Sequence, residues 1–190
     1  MIEQVKFEDI AEIFTGVRVK RYQKGTGITV ERPILKKTYS DNSSKLDVDY
    51  EEVSDDINER FYSKKNDIVI LLAGSKVSKI EEEGIIIPMY YAVVRVREGY
   101  DVDFIFHLLK SDIFPRELHK IEEGTTLKII KTTHLKSIYL PVPDIETQRN
   151  YGKLFNLMDK RINLSLELAE LEKQIQKSII NEMLVEEKTF

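Results

Sequence analysis

The C-terminal quarter of the chain carries a heptad repeat of apolar residues. Eight positions follow alternating steps of three and four: Leu154, Leu157, Arg161, Leu164, Leu168, Leu171, Ile175 and Ser178. Six of the eight are apolar, which is the pattern of a helix that pairs with another helix along a seam. The stripe would extend about 45 Å along a helix. We therefore predict a long coiled-coil-forming helix; the alternative is a helix packed on its own domain.

The residues before this helix are dominated by short strand patterns. The run DIVILLA at 67–73 is apolar throughout, which predicts a strand buried on both faces. Residues 85–96 alternate in their second half, and Pro88 indicates an edge or a bulge. Residues 126–132 and 137–140 are further short strand patterns.

One helix is predicted within this strand-rich part. Residues 101–110 have apolar positions at helical spacing behind an Asp cap, and Pro115 interrupts the pattern. We therefore predict an α+β fold in two parts that meet near Pro143. Residues 1–143 form a globular, strand-rich domain with one inserted helix, and residues 144–190 form a long helical region.

Composition and motifs exclude several classes of protein. The chain has no cysteine, so disulfides and thiolate metal sites are excluded. No GxxxxGK[ST], GxGxxG or HExxH motif occurs, so we predict no nucleotide, S-adenosylmethionine or metal site and no catalytic residues. No apolar run is long enough to cross a bilayer, and the N-terminus lacks the apolar core of a signal peptide. We therefore expect a cytoplasmic protein without a membrane contact.

Charge is distributed unevenly along a chain whose formal net charge is −4. Residues 15–45 contain eight Lys or Arg against two acids, and residues 46–62 contain seven acids against one arginine. The first segment predicts a surface that contacts phosphates. A charge-mixed surface that contacts only solvent is the alternative.

Four segments, taken in order, resemble the specificity (S) subunits of type I restriction-modification enzymes. They are FEDIAEIFTG at 7–16, KNDIVILLAG at 65–74, DFIFHLLKSD at 103–112 and EGTTLKIIKTTHLKSIYLPVPDIETQ at 123–148. The resemblance implies a target-recognition domain that reads one half of a bipartite double-stranded DNA site. The helix that follows would be a spacer that binds methyltransferase (M) subunits. Those subunits would bind S-adenosylmethionine and perform the chemistry, so this chain needs no cofactor.

The chain departs from the usual family pattern in having one recognition domain and one helix instead of two. We therefore expect a half-subunit that forms a homodimer through residues 150–184 and reads an interrupted palindrome. Pairing with another S subunit is left open, as is the presence of a restriction (R) subunit. A second hypothesis is an adaptor that binds M or full-length S subunits through its helix without reading DNA.

DNA contacts are expected from three segments rich in basic or small residues, because Arg and Gln read base edges whereas Lys binds phosphates. The first contains Arg18, Lys20, Arg21, Tyr22, Gln23 and Lys24, and Arg32, Lys36 and Lys37 extend it. The second contains Ser75, Lys76 and Lys79, and the third contains Thr125, Thr126 and Lys128. The alternatives are that an individual residue of these sets lies at the surface and contacts nothing, and that Tyr22 and Tyr39 are buried.

The partner-binding residues are expected along the heptad seam: Leu157, Arg161, Leu164, Leu168, Leu171 and Ile175. Arg161 is a polar break that would fix the register of the paired helices. Gln148 and Arg149, at the start of the helix, are expected to stabilise that junction.

Overall fold

The computed structural model describes residues 2–23, 28–37, 46–122 and 130–186. The chain divides into two compact units, residues 1–152 and residues 153–190. The strands are β1 Ile2–Lys6, β2 Ala11–Thr15, β3 Thr29–Leu35, β4 Val48–Ser54, β5 Ile68–Leu71, β6 Val77–Lys79, β7 Tyr91–Val96 and β8 Tyr139–Pro143. The helices are α1 Phe7–Ile10, α2 Val102–Lys110, α3 Ile113–Glu122, α4 Thr132–Ser137 and α5 Ile145–Glu186.

A four-stranded antiparallel sheet lies at the centre of the first unit, with strand order β2-β7-β5-β6. On one face, Ile68 and Ile70 of β5 pack in a cluster that includes side chains of α2, α3 and α4. On the other face, Val69 and Leu71 pack in a second cluster. Both faces of β5 are therefore buried, which explains its uninterrupted apolar run and confirms the prediction for this strand.

Two separate antiparallel ribbons, β1-β8 and β3-β4, accompany this sheet in the described part of the chain. The β3-β4 ribbon contributes Ile34 and Val53 to a third cluster, in which Val17 and Ile86 also pack. The backbone at residue 86 joins the ribbon to the segment before β7, because Ile86 N–H donates to Pro33 O at 2.8 Å. The ribbon is thus fixed to the rest of the unit by both packing and hydrogen bonds.

The predicted α+β class is confirmed, but the domain contains more helix than the sequence pattern indicated. The helix capped by Asp101 is α2, and Phe104 N–H donates to Asp101 Oδ1 at 2.9 Å. The prediction of a single inserted helix was wrong, because α3 and α4 are also present. The single-turn α1 after β1 agrees with the pattern of residues 5–14, which predicts a short strand running into a helical turn. Pro115 does not end helical structure; it lies in the first turn of α3, where its missing N–H has no helical partner to lose.

The strand predictions near the end of the first unit were partly correct. Residues 126–129 lie outside the described residues, and Thr132, predicted as strand, begins α4. The pattern at 137–140 corresponds to β8, which begins at Tyr139 and continues through Pro141 to Pro143. In the described part of the chain β8 pairs only with β1, so each of its prolines lies in a strand with one pairing partner. Proline is tolerated there because it lacks only an N–H that a central strand would need. No helix among the described residues is both long and apolar enough to cross a membrane.

Candidate nucleic-acid interface

The first predicted DNA-contacting segment begins where β2 ends against the backbone that precedes β7. Gly16 N–H donates to Tyr91 O at 3.0 Å, and Val17 N–H donates to Ile87 O at 2.8 Å. Met89 N–H donates back to Val17 O at 2.8 Å. These bonds fix the direction in which the chain leaves the sheet.

A short 3-10 helix, Val19–Arg21, follows and is closed by Tyr22 N–H donating to Val19 O at 2.8 Å. Tyr22 O in turn accepts from Ser54 N–H at 2.9 Å, and the half-buried Tyr22 ring packs against the third cluster. Tyr22 therefore supports this turn structurally. The side chains of three neighbouring cations are exposed, and we call them the basic turn: Arg18, Lys20 and Arg21.

The ribbon brings the basic and the acidic segments of the sequence together. Arg32 Nη2 and Asp55 Oδ1 are 2.7 Å apart, and Lys36 Nζ and Asp49 Oδ1 are also 2.7 Å apart. Gln23 Nε2 donates to Glu51 Oε2. Three of the residues expected to contact DNA are therefore bound to carboxylates of the acidic segment.

These carboxylates also change the acidity of the cations they contact. A hydrogen bond to Asp55 raises the pKa of Arg32 above its ordinary value. The pKa of Lys36 is raised in the same way, first by its hydrogen bond to Asp49 and then by the charge of that residue. Both cations stay charged at neutral pH, so what distinguishes them from the basic turn is their partners.

No ion pair joins the cations of the basic turn to another residue in the described part of the chain. Their exposed guanidinium and ammonium groups thus have no competing carboxylate among the described residues, unlike those of Arg32, Lys36 and Lys79. A short loop that presents Arg and Lys side chains to solvent can contact both phosphate oxygens and base edges.

The second predicted segment forms the turn between β5 and β6. Gly74 and Ser75 have φ of 113° and 60°, and Leu71 N–H donates to Lys76 O at 2.8 Å to close the turn. Ser75 and Lys76 are half-buried there. Lys79 has a different environment, because its Nζ lies 2.6 Å from Asp103 Oδ1 and its side chain is only 16% exposed. Lys79 therefore joins β6 to α2.

Lys37 lies near this second turn. Its Nζ is 6.0 Å from the centroid of the Tyr90 ring, and Tyr90 O accepts from Leu72 N–H at 3.0 Å. Ile130 N–H donates to Leu72 O at 2.9 Å. Lys37 and the residue that precedes the β5–β6 turn, Leu72, thus both lie near Tyr90. The basic turn lies elsewhere, because Tyr22 at its end accepts from Ser54, the last residue of β4. Four predicted residues lie outside the described residues: Lys24, Thr125, Thr126 and Lys128.

Sequence reasoning missed the carboxylates that bind the predicted cations. Asp49, Glu51 and Asp55 were recognised only as members of an acidic segment. The available signal was the sequence order, since a segment with excess positive charge is followed at once by one with excess negative charge. Two such segments are natural candidates for neighbouring strands of one hairpin.

The start of α5 is held by buried and capping polar groups. Gln148 is 2% exposed, accepts from Asp101 N–H at 3.0 Å and donates to Pro143 O at 2.7 Å. Asp144 accepts from Thr147 N–H at 2.9 Å and from its hydroxyl at 2.7 Å, which lowers the pKa of Asp144. The expected structural role of Gln148 is thus explained, whereas Arg149 is exposed.

The predicted seam residues are exposed in the single chain. Leu164 is 66% exposed, and every side chain from residue 160 to residue 184 is exposed. The apolar surface is also wider than a two-helix seam, because Leu166 and Ile180 are exposed outside the heptad positions. An apolar helical surface of this length is typical of a helix that binds a partner.

The described residues contain no group of three His, Asp or Glu side chains that could hold a metal ion. Comparison with curated proteins gives a match in sequence. The chain is 29% identical over 130 residues to the type I restriction enzyme MjaVIII specificity subunit of Methanocaldococcus jannaschii. The chain is similar to a type I specificity subunit. The alignment covers 64% of this chain and 31% of that protein, and no family model matches.

Solved structures of type I systems have the same fold. A chain from a type I restriction-modification system, solved in a study of complex assembly and conformational transition, matches with a TM-score of 0.62 and 16% identity. The HsdS subunit from Thermoanaerobacter tengcongensis matches with a TM-score of 0.56 and 16% identity, and the S subunit from M. genitalium with 0.56 and 14%. These matches cover 92%, 85% and 85% of this chain.

The shared region is only part of each relative. The three solved chains are covered over 42%, 38% and 40% of their length. The chain therefore spans less than half the length of the specificity subunits it matches. The predicted resemblance to type I specificity subunits is confirmed by these comparisons.

Proposed function

We propose that the chain recognises DNA as a specificity subunit of a type I-like restriction-modification system and performs no chemistry itself. The observation that carries this proposal is the 29% identity over 130 residues to a curated type I specificity subunit. The fold shared with solved specificity subunits is consistent with it. The exposed basic turn adds a surface suited to phosphate and base-edge contacts.

Within this function the two units have separate roles. The first unit reads one half of a bipartite double-stranded target, and the basic turn makes its phosphate contacts. The helical region binds the M subunits, which bring S-adenosylmethionine, and pairs with a second copy of the chain. A restriction subunit joins the same complex where the system cleaves DNA. The exposed apolar seam supports the proposal that the helix binds a partner.

DNA binding by the complex with its M subunit tests this proposal. We expect the triple variant R18A/K20A/R21A to bind duplex DNA more weakly, because each lost phosphate contact removes a favourable release of counterions. The same loss makes the affinity less dependent on salt. The slope of log K against log salt should fall by about 0.9 per contact, or about 2.7 in total. Fluorescence anisotropy over a range of salt concentrations measures both quantities.

A matched control replaces three exposed cations elsewhere in the first unit, in the variant K64A/K65A/R116A. It removes the same charge and should leave the slope nearer to that of the natural protein. Equal losses in both triple variants would contradict a specific role for the basic turn. Equal affinity of the wild-type complex for every duplex sequence would contradict the recognition function.

An adaptor that binds M or S subunits without reading DNA is the second candidate. The observation in its favour is the exposed seam combined with the pairing of several predicted DNA-contacting residues to carboxylates. Such a protein would bind an M subunit without changing where methylation occurs. Mapping methylated bases in DNA treated with the M subunit, with and without this chain, separates the two functions.

A further inference from the structure

The β3-β4 ribbon brings carboxylates of β4 close to polar groups of the basic segment, residues 15–45. Asp49 and Glu51 are two residues apart on β4, so their side chains lie on the same face of the strand. Arg32 is directly opposite Glu51 in the register, and Ile34 is opposite Asp49. Asp55 follows the end of the same strand and binds Arg32 at 2.7 Å. The ribbon therefore places these carboxylates close to the basic segment, although none of the pairs joins residues that are directly opposite in the register.

The neighbouring acids of the same segment are placed differently. Glu52 is exposed, and its side chain alternates to the opposite face of β4 from Glu51. Asp56 follows Asp55 and is also exposed. In the described part of the chain, neither acid has an ion pair. The chain thus contains paired and unpaired acids at adjacent positions.

Carboxylates and phosphates compete for the same donors. Asp55 and Asp49 offset the charge of Arg32 and Lys36 and compete with a DNA phosphate for their donors, whereas the basic turn has no such competitor in the described residues. Non-specific DNA binding depends almost entirely on phosphate contacts. Carboxylate pairing along the ribbon therefore lowers the affinity of a non-specific complex, which would otherwise gain phosphate contacts from Arg32 and Lys36.

We infer that Asp49, Glu51 and Asp55 are specificity-determining residues that limit non-specific DNA binding by pairing with Lys36, Gln23 and Arg32. This inference rests on the proposed function as a DNA-recognition subunit. Pairing keeps the ribbon from serving as a general phosphate-binding surface, so DNA contacts concentrate on the basic turn. Removing a paired carboxylate should raise affinity for any duplex and spread methylation to more sites.

The first measurement uses the complex with its M subunit and a mixed-sequence 30-base-pair duplex as the probe. D49N and D55N should each raise affinity by up to about fivefold, the upper range for an exposed ion pair. Each should also steepen the salt slope by up to about 0.9, because a cation becomes available to phosphate. E51Q should leave that slope nearly unchanged, since Gln23 is neutral.

The adjacent unpaired acids provide matched controls. D56N and E52Q remove one negative charge each, one residue away from Asp55 and Glu51, without releasing a paired side chain. They should change affinity less than D55N. If D56N raises affinity as much as D55N, the overall charge is responsible and the inference is overturned.

A double variant tests the pairing itself. R32Q/D55N should lose the gain seen in D55N, because the released guanidinium is no longer present. A gain that persists in R32Q/D55N would overturn the inference. Circular dichroism and thermal melting of each variant establish that folding is retained at these exposed positions.

Methylation mapping gives the second measurement. Genomic DNA treated with the D49N/D55N complex should be methylated at additional sites while the preferred sequence stays the same. If the wild-type complex methylates its preferred sequence and the variant complex methylates no additional sites, this inference is overturned and the proposed function stands. Absence of DNA binding by wild type and by every variant at low salt would overturn the proposed function as well.

Discussion

Gly16 and Asp67 hold two of the family-like segments against the central sheet. A Cβ on Gly16 would overlap the carbonyl oxygens of Ile87 and Pro88, so only glycine allows this approach of two backbones. Asp67 is 3% exposed and binds Arg95 through two nitrogens, with Nε at 3.0 Å and Nη2 at 3.1 Å from its oxygens. Residues at these two positions therefore stabilise the packing around the central sheet.

Replacing Asp67 should be costly because it leaves Arg95 buried without its anion. We expect D67N to lower the free energy of unfolding by about 3–5 kcal/mol. The exposed pair of Arg60 and Glu12, 2.8 Å apart, provides the control, and E12Q should cost at most about 1 kcal/mol. Urea denaturation measures both values, and similar losses in the two variants would contradict a special role for the buried pair.

At the level of whole elements, α5 depends on polar contacts at its first turns. Asp144 caps its N-terminus through Thr147, and Gln148 connects its first turns to the residue that caps α2. Gly152 completes this contact, because a Cβ there would overlap Asp101 Oδ1. The N-terminal ends of α2 and α5 thus meet at Asp101, and a change at either end should affect both helices.

The Asp144 cap predicts a pH-dependent contribution to stability. Hydrogen bonds from Thr147 hold the folded-state pKa of Asp144 below the ordinary value of 3.8. Its contribution is therefore fully present above that value and is lost as pH falls through the lower folded pKa. We expect D144A to melt at a lower temperature than wild type at pH 7.

The difference in melting temperature should shrink as the pH is lowered below 3.8. Thermal melts followed by circular dichroism across this range measure it. A difference that grows on acidification would contradict the assigned cap. Replacement by Asn, which also caps helices well, serves as the control and should preserve most of the wild-type stability at pH 7.

At the scale of the whole molecule, two exposed surfaces differ in chemistry. The basic turn belongs to the first unit and is suited to phosphates, whereas the seam of the second unit is apolar. The formal net charge of −4 conceals the first surface, because paired acids and cations cancel in the total. Separate binding surfaces are what a protein needs if it joins DNA to another protein.

Dimer formation through the seam is expected to fail when charge is introduced there. We expect wild type to have about twice the 22.2 kDa chain mass in solution, and L164E/L171E to have the mass of one chain. Analytical ultracentrifugation measures this. The control N163E/A169E adds two charges to the same helix outside the heptad seam and should remain dimeric.

An unchanged mass for L164E/L171E would contradict the proposed seam. A monomeric wild type that binds an M subunit would contradict self-association and leave the helix as a surface for that subunit. Both outcomes are read from the same sedimentation experiment with and without the M subunit.

Local patterns predicted much of the fold. The buried strand at residues 68–71, the Asp101 cap of α2 and the long helix followed from periodicity and capping, which depend on near neighbours in the sequence. Helix α3 was missed because Pro115 was interpreted as a break, and a proline in a first turn gives the same local signal. Thr132 was misassigned because a polar six-residue helix has too few apolar positions to show a period.

The candidate site was less predictable because its contacts are long-range. The sequence by itself determined the α+β class, the apolar stripe, the excess of cations before residue 46 and the resemblance to specificity subunits. Tertiary structure alone decided which cations have carboxylate partners. Arg32 and Asp55 are 23 positions apart, and Gln23 and Glu51 are 28 apart. The tertiary fold brings them together, and the cations of the basic turn differ from Arg32 and Lys36 in having no ion pair among the described residues.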